Sequence, residues 1–378
     1  MPAYLDMAAT TPVSGRVCDV VLTYMRDEFG NAGSRTHDWG NRAKKAVAAA
    51  RAELATTLAA KPDELIFTSG ATESDNIALL GLAAEGERTG RRHILSSATE
   101  HKAVLEPLEH LATRGFDVEL LRPDATGRFA AQQVLERVRP DTLLVSLMHV
   151  NNETGVLQPV VELADALTKT ATFLHVDAAQ SYGKVAPDDL RAPIDMISIS
   201  GHKIGAPKGI GALLVRRRGW AKVPLQPLLY GGGQERGLRP GTTPVALIMG
   251  LLEAARERHE ELAQWTTATT RFRSHLLEVL SPLGMHLNGD PDHSAPHILN
   301  ISFPHVDSEA LIVALRDLAA IATGSACTST SYTPSHVLSA MGLDKARIDG
   351  AIRLSWWGEP TTDLEGLRQA VAELQLAA

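Results

Sequence analysis

A chain of 378 residues with 44% hydrophobic and 21% charged side chains has the composition of an ordinary globular protein, which excludes disordered and fibrous classes. It is also too long for one core, since single cores usually stop growing below about 300 residues. A formal net charge of -7 gives no overall drive toward DNA or an anionic membrane, and two cysteines without a Cys-x-x-Cys pair exclude a disulfide framework and supply no metal motif.

The start, Met1-Pro2-Ala3-Tyr4-Leu5-Asp6, lacks a basic region followed by an apolar run, and no later stretch approaches about 18 uninterrupted apolar residues. A cytoplasmic protein with no membrane contact is expected. Apolar strand patterns then recur at Glu64 to Thr68, His93 to Ser96, Val118 to Leu121, Leu143 to Met148, Thr172 to Val176, Met196 to Ile199 and Gly211 to Val215. Amphipathic helices are read at Trp39 to Leu58, Leu105 to Thr113, Ala130 to Val138 and Val160 to Thr168. That alternation predicts an α/β fold, a mostly parallel seven-stranded sheet covered on both faces. Val245 to Trp265 reads as a long connecting helix, followed by a smaller α+β unit. The expected division is a large domain at 14–255 and a small one made of 1–13 and 256–378.

The chemistry concentrates where strands end. Ile197-Ser198-Ile199-Ser200-Gly201-His202-Lys203 runs from strand into a glycine-rich turn carrying a lysine, where α/β sheets present reactive groups. Lys203 alone is either a Schiff-base lysine or a surface lysine. Phe173-Leu174-His175-Val176-Asp177 is a second strand ending in an acid, either a helix N-cap or the carboxylate that keeps a pyridine nitrogen protonated in pyridoxal-phosphate chemistry. Thr68-Ser69-Gly70-Ala71-Thr72-Glu73 leads into a helix whose first amides offer a phosphate cradle, with a capping box as the structural alternative. His101, in Thr99-Glu100-His101-Lys102, and the run Asn151-Asn152-Glu153 follow two further strands; a histidine there serves proton transfer or merely packing. Polar residues at the ends of successive strands point to one shared site. Cys327, in Gly324-Ser325-Ala326-Cys327-Thr328-Ser329, has no apolar cage and is expected to be reactive. Cys18, in Val17-Cys18-Asp19-Val20, is expected to be a small core residue.

Together these segments resemble the cysteine desulfurases of the NifS/IscS type, class V aminotransferases of fold-type I. The resemblance runs from Asp6-Met7-Ala8-Ala9-Thr10-Thr11-Pro12 to Arg353. It implies that Lys203 holds pyridoxal 5'-phosphate, Asp177 faces its pyridine nitrogen, His101 stacks on the ring, and Asn152 and Gln180 contact the ring substituents. The phosphate would be held by Ala71, Thr72, Ser200 and His202, with Thr242 arriving from the second subunit of a homodimer. Arg353 would bind the carboxylate of L-cysteine, and Asn152 would also touch the substrate. Cys327 would take the sulfur as a persulfide for an acceptor protein serving iron-sulfur assembly, tRNA thiolation or DNA phosphorothioation, the last (the DndA type) being the branch most resembled. No direct nucleic-acid contact is implied. After Arg353 the sequence reads Leu354-Ser355-Trp356-Trp357 where many relatives carry Leu-Gly-Arg, and the Trp pair is expected to shape a partner surface beside the Cys327 segment.

Overall fold

Seven short β-rich runs separated by helices assemble into one sheet in the computed structural model, which describes residues 2–323 and 334–377. The strands are β1 (Leu65–Thr68), β2 (His93–Ser97), β3 (Asp117–Leu121), β4 (Thr142–Ser146), β5 (Phe173–Asp177), β6 (Met196–Ser200) and β7 (Gly211–Val215), in spatial order β1-β7-β6-β5-β4-β2-β3. Neighbours are parallel except where β7 runs antiparallel to β1 and β6. The parallel strands β2, β4, β5 and β6 are buried on both faces, hence their largely apolar runs, whereas β3 at the sheet edge stays partly exposed. β1, β2, β4, β5 and β6 therefore all end at the same sheet edge, which places the turns that follow them side by side.

One face of the sheet packs with α2 (Asp38–Thr57), and the other with α3 (Ala71–Leu80) and α4 (Lys102–Thr113). α4 begins three residues before the sequence pattern predicts, because His101 caps it: its Nδ1 accepts from Ala103 N at 3.1 Å. The helix read at Ala130 to Val138 is shorter, Ala131–Leu135; tight three-residue turns at Arg137 and Val138 close it ahead of Pro140. Cys18 departs from expectation. In α1 (Gly15–Arg26), Val17 is buried and Val21 and Tyr24 pack beside it, a spacing that turns Cys18 outward, where it is exposed.

The connecting helix is longer than its periodicity suggests. α5 (Val245–Leu280) runs 36 residues, because no proline or glycine interrupts it after Gly250 and Phe272, Leu276 and Leu280 prolong the apolar stripe. Its first half contributes Ile248, Leu251 and Leu252 to the core under the sheet. Its second half joins a separate core with β8 (His286–Leu287), β9 (Ile298–Ser302) and β10 (Ile352–Ser355), an antiparallel sheet of order β8-β9-β10. The 255/256 division expected from sequence thus falls inside one continuous helix. Trp356, expected at a partner surface, is fully buried in this second core, its ring 5.3 Å from that of Phe272; the position follows β10 directly, so its side chain faces the sheet's packed side.

Candidate active site

The common sheet edge opens into a cavity of about 360 Å³, within the range of small-molecule sites. Its walls include Ala71, Thr72, His101, Asn152, Asp177, Gln180, Ser200, His202, Lys203 and Arg353, so ten of the residues singled out from sequence meet in one place. Thr242 does not line it; it is exposed on the loop before α5. Cys327 lies outside the described residues.

Two members of the wall come from the N-terminal segment, and their role had no signature, since it uses backbone. Lys203 Nζ donates to the Ala8 carbonyl at 2.5 Å and the Ala9 carbonyl at 2.8 Å, and Gln180 Nε2 donates to the same Ala8 carbonyl at 2.8 Å. The segment is fixed at both ends: Thr11 Oγ1 donates to His202 O and accepts from Gly205 N, and Ala8 N donates to Ser355 Oγ.

Asp177 closes β5 with Oδ1 accepting from Ala179 N at 2.8 Å. Burial, then the neighbouring Asp75, pushes its pKa up to about 6. Asp75 was not singled out, because the Thr72 to Asp75 run reads equally as a capping pattern, yet it lines the cavity with no exposure. Its Oδ1 lies 3.4 Å from His175 Nε2, and burial raises it to about 7. The signal was available in spacing: Thr72 and Asp75, three apart on α3, share a face. Burial, then Lys203 and other lysines, lowers His202 to about 4, so its ring is neutral at pH 7. His101 is likewise lowered, first by burial. A backbone N–H only donates, so the Ala103 bond makes Nδ1 the acceptor and places the neutral ring's proton on Nε2. Arg353, 2% exposed, gives one N–H to Asp6 Oδ1 at 2.7 Å and another to Asn152 O at 3.0 Å, while its buried Nε has no hydrogen-bond partner among the described residues.

The donor set fits a phosphorylated pyridine aldehyde. α3 starts at Gly70 without a side-chain cap, leaving first-turn amides and the positive helix end facing the cavity, with Ser200, His202 and Lys208 beside them. Asp177, on the adjacent strand to Lys203's, offers a carboxylate for a ring nitrogen, and Lys203 an amine for the aldehyde. A mostly parallel sheet with this set at one edge defines a pyridoxal-phosphate-dependent enzyme. The chain belongs to the class V aminotransferase family, whose pattern matches residues 3–361, and within it to the cysteine desulfurases. It is 45% identical over 368 residues to the cysteine desulfurase IscS of Vibrio cholerae serotype O1 (strain M66-2), covering 97% of this chain and 90% of that one. Among solved structures, DndA from Streptomyces lividans is 61% identical with a TM-score of 0.83, over 95% of this chain and 100% of its own. SspA in complex with cysteine is 37% identical with a TM-score of 0.82, over 94% and 99%.

Proposed function

We propose that the protein removes sulfur from L-cysteine with Lys203 holding the cofactor and Cys327 accepting the sulfur, which then passes to an acceptor protein. The meeting of Lys203, Asp177 and Arg353 in one cavity carries this reading. Pyridoxal phosphate, when bound, supplies an electron-accepting ring that eases loss of a proton from the substrate's α-carbon. The residues supply the rest. Asp177 holds a proton on the ring nitrogen, the α3 amides with Ser200 and His202 bind the phosphate, and Arg353 orients the substrate carboxylate through its guanidinium. Lys203 Nζ would hold the cofactor's aldehyde carbon and, at the same place in the cavity, would be the base within reach of the substrate's α-proton. His101 keeps a proton on Nε2 at the cavity wall, so it acts there as donor; it becomes an acceptor only by giving up the Ala103 cap. The Cys327 thiolate attacks the substrate sulfur, forming an S–S bond as the C–S bond breaks; two protons complete L-alanine and Cys327 keeps a persulfide.

A sulfur-accepting thiol that must be kept reduced suits a cytoplasmic setting; among the described residues no helix is long and apolar enough to cross a membrane. A homodimer supplying Thr242 to the neighbouring site is supported by that residue's exposure and by Leu229 and Tyr230, 59% and 87% exposed on the same loop. The 61% identity to DndA against 45% to IscS favours DNA phosphorothioation as the sulfur's destination.

The deciding experiment incubates the cofactor-loaded protein with L-cysteine and a reductant and measures sulfide and alanine. Equal amounts from the parent, lost in Cys327→Ala with the cofactor's visible band intact, are expected; a fully active Cys327→Ala would end the assignment of the sulfur carrier.

A further inference from the structure

Lys184 is 2% exposed, deep behind the cavity, in the turn that follows β5. Gly183, at φ +69, takes the left-handed conformation that turns the chain just ahead of it. A buried lysine is expensive, and an apolar side chain of similar volume would fill the space at less cost. Among the described residues its Nζ makes one hydrogen bond, to Gln180 Oε1 at 2.9 Å. Gln180 in turn donates through Nε2 to the Ala8 carbonyl and lines the cavity.

These partners leave the amide no freedom. The Ala8 carbonyl only accepts, so Nε2 must face it; a flipped amide would set two carbonyl oxygens against each other. Burial, followed by the charges of Lys203 and Arg258, holds Lys184 well below the usual lysine pKa, but ammonium or amine, Nζ keeps an N–H to give. Gln180 Oε1 is therefore consumed on the core side, and the second hydrogen of Nε2 remains for the cavity. We propose that Lys184 is a positioning residue, locking the Gln180 amide from behind so that its NH2 end is the donor presented to the cofactor's ring oxygen. The proposal rests on the reading that pyridoxal phosphate occupies this cavity.

The test uses the cofactor-loaded full chain and follows its visible absorbance against pH. Lys184→Met and Gln180→Ala are each expected to move the apparent pKa of that band in the same direction, by about 0.5–1 unit, the equivalent of one net hydrogen bond. The double variant is expected to move it no further than the larger single change. An unmoved band in a folded, loaded Lys184→Met, an opposite shift, or additive shifts in the double variant would each overturn the proposal. Should Lys184→Met not fold, Lys184→Gln, which keeps a donor without the charge, takes its place: a band matching the parent's supports the lock, and a shift equal to that of Gln180→Ala refutes it. A parent without a visible band, or a Lys203→Ala variant that retains the parent's band, would instead sink the cofactor reading.

Discussion

Asp177 and Asp75 are two buried carboxylates in contact with one cavity, and their raised pKa values make the cofactor-free protein pH-sensitive. A folded pKa above the unfolded one means that the native state holds the proton more tightly, so stability is present at low pH and lost as pH rises through the folded value. For Asp75, raised to about 7 by burial, that loss falls between pH 4 and pH 7. Asp75→Asn, which never ionises, is therefore expected to melt higher relative to the parent at pH 8 than at pH 5, by an amount on the order of a few kcal/mol. Melting curves of both cofactor-free proteins at the two pH values check this; a difference constant with pH would refute it. Arg353→Ala, which removes a guanidinium already tied to Asp6 and Asn152, is expected to lower kcat/KM for L-cysteine by about 10²-fold or more, seen in steady-state sulfide release. Lys203, Asp177 and Arg353 were legible in the sequence because strand-end chemistry and family resemblance mark residue type. The Ala8 and Ala9 carbonyls were not, since any residue carries that group, and Asp75 was masked by looking like a cap.

At the level of elements, the strands were readable because parallel strands buried on both faces are largely apolar runs, whereas α5 was cut short because its stripe weakens through Gln264 to Thr270 before Phe272 restores it. That second half is where the Trp pair is seated. Trp356 packs on Phe272 and donates Nε1–H to Thr269 O at 3.2 Å, and Trp357 stacks edge-on to Trp265 with the Arg258 guanidinium 4.0 Å above its ring. Adjacent tryptophans in the sequence do not reveal that one is core and the other half-buried; only the packing of β10 against α5 decides it. Trp356→Ala is expected to cost about 3–5 kcal/mol, the range for emptying a buried aromatic site, and Trp357→Ala less; thermal melting of the two variants ranks them.

For the molecule as a whole, a mostly parallel seven-stranded sheet could be argued from alternation, but its strand order and any subunit contacts could not, because a loop residue such as Thr242 carries no periodic signal. If the neighbouring copy completes each site, Thr242→Ala weakens cofactor binding, by about tenfold for one phosphate hydrogen bond. Mixing that variant with Lys203→Ala is then expected to restore one parental-affinity site per mixed pair, measured by cofactor titration; no recovery on mixing would place Thr242 outside the partner's site.

The contacts between Asp6 and Arg353, and between Ala8 and Ser355, span 347 positions of sequence each. The ribosome makes the first member of each pair 347 residues before the second. The pocket wall therefore cannot close until residue 355 has emerged, and cofactor capture waits for that moment. A nascent chain stalled short of residue 350 would carry Lys203 and Asp177 yet leave the ribosome colourless.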